Sequence, residues 1–123
     1  MRDYTRIYID GAWVKPIDGK IIDVINPATE RPAGHITLCT AADVDRAVEA
    51  ARKAFISFSR SSRKERLDLL SGILEVYTKR QDDLAEVLTE ELGAPKKFAK
   101  EIQVGLGVWH LQSAIAILND YKF

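Results

Sequence analysis

Few residues in this 123-residue chain have the types and spacing that chemistry needs. Cys39 is the single cysteine, and a thiolate there could attack a carbonyl if a neighbouring base activated it. His35, four residues upstream, shares its strand face yet stands too far off for a hydrogen bond. Cys39 therefore reads as a small residue at a strand end. His110 lies in an apolar helical stretch and reads as a satisfied or interfacial side chain. Glu90 and Glu91 precede Gly93-Ala94-Pro95 and the pair Lys96-Lys97. Adjacent glutamates on a helix point in different directions and make a poor acid/base pair. Gly93 sits at a helix-stop position and Pro95 where a helix restarts, so the stretch is punctuation first. Two histidines and one cysteine give no zinc spacing. Gly105-Leu106-Gly107 supplies half a dinucleotide fingerprint, but no strand precedes it and the third glycine is missing.

Bulk properties narrow the class. The 18 basic and 18 acidic residues cancel and are interspersed. A nucleic-acid partner would call for a basic excess, and a charged tail for a run of one sign. Val104 to Leu118 is the longest apolar stretch, but glycines, His110, Gln112 and Ser113 break it, so it does not read as a membrane span. A single cysteine suits a reducing compartment, and the opening MRDYTRIYID lacks the apolar core of a secretory signal. The expectation is a soluble cytoplasmic chain without nucleic-acid or membrane partners.

The elements that must position any site follow from periodicity. Residues 1–39 read as β-hairpins. Arg6–Ile9 and Ala12–Val14 flank Asp10-Gly11, whose positive φ angles make a tight turn. Asp18-Gly19 precedes a strand over Lys20–Ile25, which Asn26-Pro27 ends because proline cannot donate to a ladder. Gly34–Cys39 is one more strand. Residues 40–123 read as helical. Thr40–Asp43 and Ser62–Glu65 are capping boxes. Val44, Ala47, Val48, Ala51, Ala54 and Phe55 form one stripe; Leu67, Leu70, Ile73, Leu74 and Tyr77 form a second. The polar run Lys79–Asp83 separates a third helix carrying Leu84, Val87, Leu88 and Leu92. Pro95 opens the fourth.

That fourth helix carries apolar residues on nearly every side, which predicts cover on every side. Gly105 and Gly107 inside it cost about 1 kcal/mol each relative to alanine and predict the close approach of another backbone. Four helices and two hairpins cannot supply that cover. The inference is that more polypeptide, or a partner subunit, completes the core, and that the isolated chain self-associates.

Together these segments resemble the N-terminal part of the aldehyde dehydrogenase superfamily. The resemblance runs through Tyr8–Val14, Val24–Glu30, Ala42–Val48 with Ala54-Phe55, Arg63–Leu67 and Glu90–Pro95, in order and over nearly the whole chain. It implies an α/β family fold. This fragment would be two N-terminal β-hairpins followed by about four α-helices, an incomplete part of the nucleotide-binding domain (1–39 hairpins, 40–123 helical). It implies an oligomeric enzyme that oxidises aldehydes to carboxylic acids with NAD or NADP, using a cysteine nucleophile and a glutamate that activates water. Both those residues lie far downstream in the family, as do its cofactor-binding loops. The resemblance therefore implies no catalytic residue and no cofactor-binding residue here. Glu91-Leu92-Gly93 is similar to the family's catalytic glutamate motif, but it stands in the wrong place and lacks the second glycine.

Two sites are implied by the resemblance. A monovalent cation would be held by backbone oxygens of Val24 and Ile25 with the carboxylate of Glu91, although many relatives carry Asp at that last position. Ile102 and Leu106 would line the mouth of a substrate tunnel, or else be ordinary core. The implied partners are the rest of the dehydrogenase or a homologous subunit, and the aldehyde. Two alternatives stand beside this: a non-catalytic truncated paralogue or interaction module that docks on a full-length dehydrogenase, and an unrelated helical binding module.

Overall fold

The structure is a computed structural model and describes residues 2–122. The chain forms two compact units, one running to Arg60 and the next starting at Ser61. The first helix therefore belongs with the strands.

In the first unit, β1 (Arg2–Tyr4), β2 (Ile7–Ile9), β3 (Ala12–Val14), β4 (Lys20–Asn26) and β5 (Arg31–Leu38) precede α1 (Ala41–Phe58). β2 and β3 pair antiparallel around Asp10-Gly11, both at positive φ (52° and 79°), the hairpin that the dipeptide predicts. β4 and β5 form the second hairpin. β4 ends at Asn26, whose side-chain oxygen accepts from the N–H groups of Ala28 (2.8 Å) and Thr29 (3.3 Å). An Asx turn thus joins proline in stopping the strand. β5 starts earlier than its expected Gly34. Ile25 pairs with Pro32 while Val24 pairs with Gly34, so a bulge takes up Ala33 and admits proline to the ladder.

β1 was not expected. It pairs in parallel with β5, giving the order β1-β5-β4. Gly34 makes this possible, since a Cβ there would meet the Arg2 carbonyl oxygen at 2.6 Å. β2 alternates half-buried Ile7 and Ile9 with exposed Tyr8 and packs on α1. Tyr8 and Trp13 meet edge to face on the outer side of that hairpin, 5.4 Å apart.

The second unit contains α2 (Arg63–Lys79), α3 (Gln81–Leu92), the single turn α4 (Lys96–Phe98), a π-helical turn (Ala99–Val104) and α5 (Gly105–Asp120). Glu65 closes the capping box of α2: its carboxylate accepts from the Ser62 N–H (2.7 Å), and the Glu65 N–H donates to Ser62 Oγ (3.2 Å). Gly93, left-handed at φ 73°, ends α3, as the sequence predicts, and donates to the Thr89 carbonyl at 3.2 Å. The core is small: Ala85, Ala94, Ala99 and Val104, with Tyr77, Leu84 and Leu88 around it. α2 packs along α5, and α3 packs against the π-turn. The expected fourth helix is thus interrupted by a wider turn. Arg63, at the start of α2, donates to the carbonyls of Asn119 (3.3 Å) and Tyr121, which ties down the far end of α5.

Candidate functional site

The residues predicted to face substrate stand where the last helical segment changes its winding. Ile102 belongs to the π-turn and Leu106 to the first turn of α5. Both remain 49% exposed, and Trp109, one turn further on, is 59% exposed. The three form an apolar stripe on the outer side of the segment. The opposite side is closed, with Ala99 at 0% and Val104 at 1% exposure.

An α-helix turns about 100° per residue, so residues five apart point about 140° away from each other. Ala99 and Val104 are five apart and both buried. The wider π-turn, closing on the fifth residue, brings them to one side. Tyr77, on α2, donates its hydroxyl to the Val104 carbonyl at 3.1 Å. Gly107 lies directly against the same phenol. A Cβ built there would overlap the tyrosine oxygen and Cζ, and would come within 3.0 Å of Cε1. The expected close neighbour of this glycine was a backbone; it is a side chain. Gly105 has no such neighbour, the nearest atom being the Lys100 carbonyl oxygen at 3.9 Å.

The residues expected at a cation lie in different units. Val24 and Ile25 are on β4 at the bulge, and Glu91 is in the last turn of α3, partly exposed. All three would offer oxygen, the donor type that suits a hard cation. Among the described residues, no group of three His, Cys, Asp or Glu side chains could hold a metal. Gly105 and Gly107 stand inside helical backbone rather than in the strand-to-helix turn that cradles a pyrophosphate. Gly105 and Gly107 therefore do not form a dinucleotide fingerprint.

The other candidates separate as well. Cys39 is exposed just past β5, with Sγ 3.8 Å from the Thr37 carbonyl. His35 is engaged elsewhere, its Nδ1 lying 2.8 Å from Asp23 Oδ1 on β4. His110 packs its ring against Trp109, centroids 5.0 Å apart.

Sequence reasoning gave Asp43 only a capping role. It is 2% exposed, and its two oxygens accept from the Ile17 N–H at 3.0 and 3.1 Å and from the Thr40 N–H at 3.2 Å. Arg46 Nη1 stands 3.4 Å away. Burial pushes this carboxyl up, but the Ile17 and Thr40 hydrogen bonds and Arg46 outweigh it and hold Asp43 below its ordinary value. The capping box was the only sequence signal, because Ile17 is remote along the chain. No helix among the described residues is long and apolar enough to cross a membrane.

Comparison with known proteins places these features. The sequence profile described as Aldehyde dehydrogenase family matches residues 13–122. The 3-succinoylsemialdehyde-pyridine dehydrogenase of a Pseudomonas species is 45% identical over 124 residues, covering 100% of this chain and 26% of that protein. The crystal structure of an aldehyde dehydrogenase from Bartonella henselae superposes with a TM-score of 0.98 at 35% identity, again over 100% of this chain and 26% of that one. A variant of aldehyde dehydrogenase C from Pseudomonas syringae, solved with NAD+ and octanal, gives a TM-score of 0.94 at 39% identity, over 97% of this chain and 24% of that one. The chain thus spans about a quarter of the length of the relatives it matches. With the profile covering most of its residues, the chain belongs to the aldehyde dehydrogenase family and corresponds to the N-terminal portion of its members.

Proposed function

We propose that this chain is the N-terminal portion of an NAD(P)-dependent aldehyde dehydrogenase acting in the cytoplasm, and that it is inactive by itself. The observation that carries the proposal is the near-complete superposition on a quarter of an aldehyde dehydrogenase. In this reading the chain supplies scaffold and wall. Ile102 and Leu106 face the mouth of the substrate passage. The nucleophile, the water-activating glutamate and the NAD or NADP site come from other parts of the enzyme, and the wider assembly is an oligomer. Support for the wall comes from the stripe of Ile102, Leu106 and Trp109, left half exposed on a segment whose other side is closed.

The test has two arms. The purified 123 residues, assayed with NAD+, NADP+ and a panel of aldehydes, should give no nicotinamide reduction above blank. A chimera in which this chain replaces the matching first quarter of the Pseudomonas syringae enzyme should oxidise octanal with NAD+. A folded chimera without activity would overturn the proposal and favour a non-catalytic module that docks on a complete relative. Turnover by the isolated chain would overturn it from the other side.

A further inference from the structure

We infer that Tyr77 is a positioning residue for the apolar wall of Ile102 and Leu106, because its hydroxyl pins the π-turn that sets the angle between them. The inference rests on the tunnel reading above for its consequence on substrate, though not for its geometry.

Val104 is where five-residue closure hands over to the four-residue closure of α5. Its carbonyl is the acceptor that Tyr77 reaches from α2 at 3.1 Å. The phenol cannot move toward the helix, since Gly107 already leaves only the room that an absent Cβ provides. One side chain is thereby fixed between a carbonyl and a glycine, both within three residues of Leu106. Without the hydroxyl, the turn is free to tighten toward α-helical closure, which changes the angle between Ile102, inside the π-turn, and Leu106, beyond it. Aldehyde length is read along such a wall. Loss of the Tyr77 hydroxyl should therefore alter the discrimination between long and short substrates while leaving chemistry at the shared aldehyde group alone.

Tyr77→Phe in the Pseudomonas syringae chimera tests this, because it removes the hydroxyl and keeps the ring. The expected result is a several-fold rise in KM for octanal, with kcat for propanal and KM for NAD+ unchanged. Gly107→Ala displaces the hydroxyl from the other side and should reproduce the same split, which covers the case of one variant folding poorly. Hydrogen exchange in the chimera should show faster exchange at amides 104–108 in Tyr77→Phe, with α1 unaffected. Unchanged exchange, or equal effects on both aldehydes and NAD+, overturns the inference. Ile102→Ala and Leu106→Ala separate the two levels. If they alter octanal preference and Tyr77→Phe does not, the positioning role fails and the wall stands. If neither alters it, the wall reading fails and the inference falls with it.

Discussion

Asp43 joins two segments through one buried carboxylate, which accepts from the Ile17 and Thr40 N–H groups. Since its folded pKa lies below the ordinary 3.8, its contribution to stability is fully present above that value. The contribution is lost as pH falls through the lower folded value. Asp43→Asn should therefore lower the melting temperature of the first unit at neutral pH and flatten its loss of stability below about pH 4. Circular dichroism melts between pH 3 and 7 would show both effects, and parallel curves for the two proteins would contradict them. Gly93 makes a simpler case. At φ 73° an alanine is strained, so Gly93→Ala should cost about 1–2 kcal/mol in urea unfolding. Residues of this second kind are legible in sequence, because a left-handed cap or an Asp-Gly turn depends only on its immediate neighbours. Asp43 is legible only in part. Its capping role is local, but its bonds to Ile17 depend on a fold that brings the residues before β4 to the start of α1.

The same division holds among the elements. α1 and α2 announce themselves through apolar stripes and capping boxes, and their observed starts follow those boxes, whereas α3 has only its stripe and starts at Gln81, inside the polar run. β1 does not announce itself, because a three-residue strand containing Arg2 and Asp3 has no alternation to read and pairs with a strand far along the chain. The π-turn was likewise invisible. Its signature, two buried residues five apart, is evident only once burial is known. The cost of forcing this junction is measurable. Gly107→Ala pushes a methyl group into the Tyr77 phenol and should destabilise the second unit by about 1–3 kcal/mol, as overpacking typically does. A Gly105→Ala control, with open space around it, should instead be neutral or stabilising, since alanine favours helix. Urea titrations of both variants would check the contrast, and equal effects would mean that the Tyr77 contact is not what requires glycine.

At the scale of the whole molecule, apolar surface is left open on both units. Trp13, Phe55, Trp109 and Ile117 are each about three-fifths exposed or more. Large apolar side chains left this exposed call for contact with other protein. The isolated chain should bind a hydrophobic dye such as ANS and sediment as a concentration-dependent mixture. A compact monomer with no dye binding would count against the need for cover. Building the chain also has an order written into it. Arg2 pairs with Gly34 and Tyr4 with Ile36, so β1 has no partner until β5, the centre of its sheet, has been synthesised. The β4–β5 hairpin can close locally within microseconds, whereas β1 must wait and then close a long loop onto it. A stalled nascent chain that had not yet reached Leu38 would carry β1 unpaired, where proteases and chaperones could reach it.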